Sequence, residues 1–129
     1  MLSINNPDKA VEEEGVWTPF GGSKFKVASS TNMKFQKLFA RLQLPYHKKI
    51  DKGSLDPKIG LGIMCESLAA TVLLDWEDVL GEDGEPVAYT PELGQKILQN
   101  HSDLRQHIQD FAADIENYRI ADREVLGKS

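Results

Sequence analysis

Val72-Leu-Leu-Asp-Trp76 decides how this chain is read, together with the acidic turn Gly81-Glu-Asp-Gly84 and Pro86-Val-Ala-Tyr-Thr-Pro-Glu92 behind it. The apolar residues before Trp76 continue a helical stripe made of Ile59, Leu61, Ile63, Met64, Leu68, Val72 and Leu73. That breadth suits a central buried helix. Leu55-Asp56-Pro57 supplies a start for it, with proline at the first helical position, where its missing N–H costs nothing. The expected helix runs from there to about Val79 and ends on the Trp and the turn. Thr90-Pro91 repeats the cap-plus-proline start and opens a short helix to about Gln99, with Leu93, Ile97 and Leu98 inward.

Outward from this centre the signals stay clear. Upstream, Ser30-Thr31-Asn32 offers N-caps for a helix with apolar positions Met33, Phe35, Leu38, Phe39 and Leu42, which Pro45 should break. Further upstream, Phe25 and Val27 alternate with Lys24 and Lys26, the period of a half-buried strand. Gly21-Gly22 provides the positive φ of a tight hairpin turn, and Pro19 puts the first strand at an edge. Downstream, Ser102 is expected to cap a last helix. Its seam of Leu104, Ile108, Phe111, Ile115, Tyr118 and Val125 belongs in the core. The resulting expectation is an α+β, predominantly α-helical fold: an N-terminal β-hairpin packed on a bundle of about four helices. One globular domain covers residues 15–126, after a flexible acidic lead-in over 1–14 and before a tail over 127–129.

The bulk composition agrees with one globular domain. The chain has 129 residues, 40% hydrophobic and 27% charged. It contains no apolar run of the ~18 residues that a membrane span needs. Its first residues have neither the basic region nor the apolar core of a signal peptide. Cys65 is the single cysteine, so no intrachain disulfide forms, and a reducing cytoplasm is the expected location. The net charge of −5 conceals a segregation. Residues 24–52 carry eight basic groups against Asp51 alone, whereas the rest of the chain is acidic. Such polarity lets the basic end of one copy meet the acidic end of another.

Catalytic signals are missing. Placing Gly81 or Gly84 at the obligatory glycine of a calcium loop puts Trp76 or Val79 at the first ligand position, which excludes that motif. His47, His101 and His107 lack metal-ligand spacing. Cys65 lies among apolar neighbours that disfavour its thiolate. No phosphate-cradling glycine loop or nucleophile elbow is present. The expectation is a protein that is not an enzyme and needs no cofactor or metal. The basic stretch from Lys34 to Lys52, with Phe35, Phe39 and Tyr46, raises nucleic-acid binding. The aromatics fit the helical core stripe instead, and the whole chain is acidic.

Several strings occur in a familiar order: Val16-Trp17, Pro45-Tyr46, Gly53-Ser-Leu-Asp-Pro57, Leu73-Leu-Asp-Trp-Glu77, Asp83-Gly-Glu-Pro86 and Tyr89-Thr-Pro-Glu92. In that order they resemble the tail assembly chaperones of long-tailed bacteriophages over roughly residues 16–120. The resemblance implies a protein of the host cytoplasm, absent from the finished virion, that keeps the tape measure protein soluble and helps recruit tail tube protein around it. Many proteins of that kind are also made as a longer frameshifted form, and if one exists here, a chain ending at Ser129 is the short form. For such a role Trp17 and Phe20 are the expected client-binding residues. Lys48, Lys49 and Lys52 are the expected self-association residues of a homo-oligomer, docking on the acidic C-terminal helices of another copy. The alternative is a tail-completion or connector component that remains in the virion.

Overall fold

A computed structural model describes residues 9–119. The fold is α+β and mainly helical, as the patterning predicts, with a three-stranded antiparallel sheet in place of a lone hairpin. Strands β1 (Val16–Phe20) and β2 (Ser23–Val27) pair in register from Val16↔Val27 to Phe20↔Ser23. Gly21 and Gly22 both hold positive φ, 58° and 83°, which suits a two-residue turn whose twist matches the strands. Pro19 sits on the outer strand, where no ladder hydrogen bond is lost on the open side.

The third strand corrects the helical reading of Val72-Leu-Leu-Asp-Trp76. Helix α4 (Pro57–Thr71) stops sooner than the apolar stripe implies, and β3 (Leu73–Glu77) pairs with β2 from Lys24↔Glu77 to Val27↔Leu73. A bulge at Leu74 lets both Leu73 and Trp76 point into the core while Asp75 and Glu77 stay exposed. A short apolar run fits either period. Here the open edge of β2 is the deciding partner, since a two-stranded hairpin is marginal on its own.

The remaining helices follow their caps. In α2 (Met33–Gln43), the Asn32 side chain accepts from the Phe35 N–H at 2.9 Å. Pro45 converts the next residues to a 3₁₀ turn over Leu44–Tyr46, after which α3 (His47–Asp51) runs until Gly53 takes φ 66°. Asp56 and Thr90 cap α4 and α5 (Pro91–Asn100) through their side chains. Helix α6 (Ser102–Ala113) has His101 at its N-cap, so Ser102 is its first residue and not its cap. The expected long seam breaks at Asp114, which caps a separate 3₁₀ turn over Ile115–Tyr118. Leu104, Ile108 and Tyr118 are nevertheless buried. Val125 and the tail lie outside the described residues.

The acidic lead-in is also corrected in part. Its end forms helix α1 (Lys9–Glu14) with Val11 buried. The Glu12 carbonyl accepts the Ser29 N–H at 2.8 Å, and its carboxylate accepts the Thr31 hydroxyl at 2.8 Å. Long-range bonds of this kind leave no trace in local periodicity.

The core joins Phe25, Val27, Leu68, Val72, Leu73, Leu98 and Ile108, so α4 packs against α2, α5 and the sheet at once. The hairpin is seated on α6 through a file of rings. Phe20 lies 5.1 Å from His107, His107 lies 6.3 Å from Phe111, and Phe111 lies 6.1 Å from Tyr118. Thr18, buried beside them, hydrogen-bonds the His107 Nε2 at 2.9 Å.

Candidate functional site

The sequence between β3 and α5 folds into a tight loop because each end is tied. Val87 N–H donates to the Val79 carbonyl at 2.9 Å, Gly81 N–H to Glu85 at 2.8 Å, and Gly84 N–H to Gly81 at 3.0 Å. Trp76 anchors the loop from inside, its Nε1–H donating to the Val87 carbonyl at 2.7 Å. The indole meets Tyr89 edge-on at 4.9 Å. The Tyr89 hydroxyl in turn lies between the Ala69 and Leu73 carbonyls. Burial, with Glu92 and Asp75 nearby, pushes that hydroxyl well above the usual tyrosine range.

A cleft of about 320 Å³ opens between this loop and α5, lined by Trp76, Val79, Leu80, Val87, Leu93 and Ile97. Its mouth carries charge. Glu82 bridges to Lys96 across it, which holds the Glu82 carboxyl below its ordinary range, chiefly by the hydrogen bond and then by charge. Asp78, Asp83 and Glu85 stand exposed on the same loop, and none makes an ion pair among the described residues. Leu80 is 63% exposed in the middle of these acids.

On the far side of α4 lies a contrasting surface. Helix α2 buries none of its residues completely, and Leu44 at the corner before Pro45 is 65% exposed. Arg41, Lys48 and Lys49 flank it in sequence, all exposed. Lys48, Lys49 and Lys52 are all exposed on and just after α3. Trp17 and Phe20 are not brought together. Alternation along β1 turns Trp17 outward, 40% exposed, and turns Phe20 toward His107 on α6.

Sequence reasoning missed Leu44 and the cleft. Their one signal was a large aliphatic residue embedded in a block of like charge, Leu44 among bases and Leu80 among acids. Cys65 is fully buried, and burial pushes its thiol up against the opposing influence of Arg105. Among the described residues no three His, Cys, Asp or Glu side chains gather as a metal site, and no helix is long and apolar enough to cross a membrane.

The profile of the YdaY prophage protein family matches residues 29–128. The chain belongs to that family. Its origin is therefore phage-derived. The matched span runs from the start of α2 onward and contains both the basic corner and the acidic cleft of this YdaY-family chain, while β1 and β2 precede it. No curated protein and no solved structure matches the chain significantly.

Proposed function

We propose that this YdaY-family protein is a tail assembly chaperone. In this reading it is a non-catalytic factor of the host cytoplasm, absent from the mature virion. It holds the tape measure protein in solution and helps recruit tail tube protein to it. The observation that carries the reading is that large apolar side chains stay in water on separate parts of a charged surface, Trp17 on the sheet edge and Met33 on α2. A holdase for a long chain works through many weak contacts rather than one deep site, and separated apolar points supply them. The family match supplies the phage origin that the reading requires, and the order of the Trp76, Asp83-Gly84 and Thr90-Pro91 strings resembles that of tail assembly chaperones.

Trp17 is the client contact in this reading, and Phe20 contributes by fixing β1 against α6. Co-expression with the tape measure protein of the same prophage tests it, scored by soluble client and joint elution at high mass. Soluble client in a shared peak is the expected result. A Trp17→Ala variant that keeps its circular dichroism should bind the client roughly tenfold more weakly or worse, since buried tryptophan is a typical anchor. Client that stays insoluble while this protein elutes alone would reject the chaperone. Stoichiometric recovery of the protein from purified virions would then assign it to a tail-completion or connector part.

A further inference from the structure

We infer that this chain assembles head to tail, the Leu44 corner of one copy seated in the cleft between α5 and the 79–87 loop of the next. The inference rests on the two surfaces alone and does not depend on the chaperone reading.

Three properties match. Each surface leaves a large aliphatic group in water, Leu44 at 65% and Leu80 at 63% exposure, and mutual burial removes both at once. Size is compatible: Leu44 opens the 3₁₀ turn that joins α2 to α3, and the cleft of about 320 Å³ is lined in large part by apolar side chains. Charge is complementary too. The segment around Leu44 carries Arg41, Lys48 and Lys49, whereas the loop that walls the cleft carries exposed Asp78, Asp83 and Glu85, beyond the Glu82–Lys96 pair that lines the cleft itself. Opposite patches of this kind steer encounter and fix orientation.

A second copy is the occupant because each copy carries one corner and one cleft. A single molecule cannot satisfy itself, since α4 stands between α2 and α5 and packs on both. The contact is heterologous, joining unlike surfaces. It therefore propagates into a ring or a filament instead of stopping at a two-fold dimer. This pairing sends Lys48 and Lys49 to the acidic loop of the neighbour, not to its C-terminal helices. The buried area is small, so association should be weak, dependent on concentration and loosened by salt.

Sedimentation of the full chain over a concentration series tests the inference. The wild-type mass should climb with concentration and fall as salt is raised. Leu44→Asp spoils the corner and Leu80→Asp spoils the cleft; both positions are exposed, so folding should survive in each. Either variant alone should self-associate at least roughly tenfold more weakly. An equimolar mixture should form a dimer and go no further, because only one intact corner and one intact cleft remain. Asp83→Lys combined with Glu85→Lys replaces Leu80→Asp if that variant does not fold. A wild-type chain that is monomeric at every concentration would overturn the pairing. So would an unchanged mass for Leu44→Asp, or a mixture of folded variants that stays monomeric.

Discussion

Gly94 is the residue whose identity is most tightly dictated by a neighbour. A Cβ built there would lie 2.6 Å from both the Oη and the Cε2 of Tyr89. The ring is held in place, because its hydroxyl is bound at the Leu73 carbonyl at 2.8 Å and it packs perpendicular to the Trp76 indole. Gly94→Ala should therefore destabilise the fold by about 1–3 kcal/mol, the usual cost of forcing extra volume into a packed site. Urea unfolding reads that loss directly. The effect opposes helix propensity, which favours alanine over glycine inside a helix by roughly 1 kcal/mol. Stabilisation by the substitution would mean that Tyr89 is not fixed as described. A different constraint acts at Asp78, which adopts φ 62° where β3 turns into the acidic loop. Its short polar side chain tolerates that left-handed conformation better than most.

Among the elements, α2 depends most on a single side chain. Asn32 caps it by accepting the Phe35 N–H, and its amide also donates to the Ser29 carbonyl and, at 3.4 Å, to the Thr71 carbonyl at the end of α4. One residue thus fixes the start of α2 and its docking. Asn32→Ala should cost about 1–2 kcal/mol, and Asn32→Asp, which keeps the cap but loses the donor, should cost less. Equal losses in urea melts of the two variants would assign the whole effect to the amide donor. The cap is an element feature that local sequence announces in full, as are Thr90-Pro91, Asp56-Pro57 and the Gly21-Gly22 turn. Strand β3 was not legible in the same way. Its apolar residues satisfy a helical period as well as an extended one, and only the presence of β2 some fifty residues earlier chooses between them. The break at Asp114 and the folding of α1 onto Ser29 and Thr31 are likewise set by distant partners. The candidate site was half legible for the same reason. Charge segregation is written along the chain, whereas a cleft exists only once α5 and the loop face each other.

At the scale of the whole molecule, two tyrosines link distant parts of the chain and make its stability sensitive to alkali. Tyr89 joins the post-β3 segment to α4, and Tyr118 donates to the Val27 carbonyl at 3.1 Å, across to the sheet. Burial raises both hydroxyls, Tyr118 with added help from Glu12 and Asp114. In the folded chain they keep their protons past the point, about pH 10, at which the unfolded chain releases them. The unfolded state then binds fewer protons than the native state, so stability falls as pH rises. The contribution is complete below about pH 10 and is lost above it. Urea midpoints at about pH 9 and about pH 11 should show the decline, and Tyr89→Phe and Tyr118→Phe should each make it shallower. An identical slope in both variants would place the alkaline sensitivity elsewhere. The bond from Tyr118 to Val27 and the pairing of Lys24 with Glu77 also have a consequence for the order in which the protein is made. The hairpin leaves the ribosome well before β3, yet β2 lacks its second neighbour until Glu77 has been translated, and its last latch arrives only with Tyr118. A stalled or truncated product therefore carries an unzipped strand edge, the feature by which unfinished chains are captured by others or cleared by proteases.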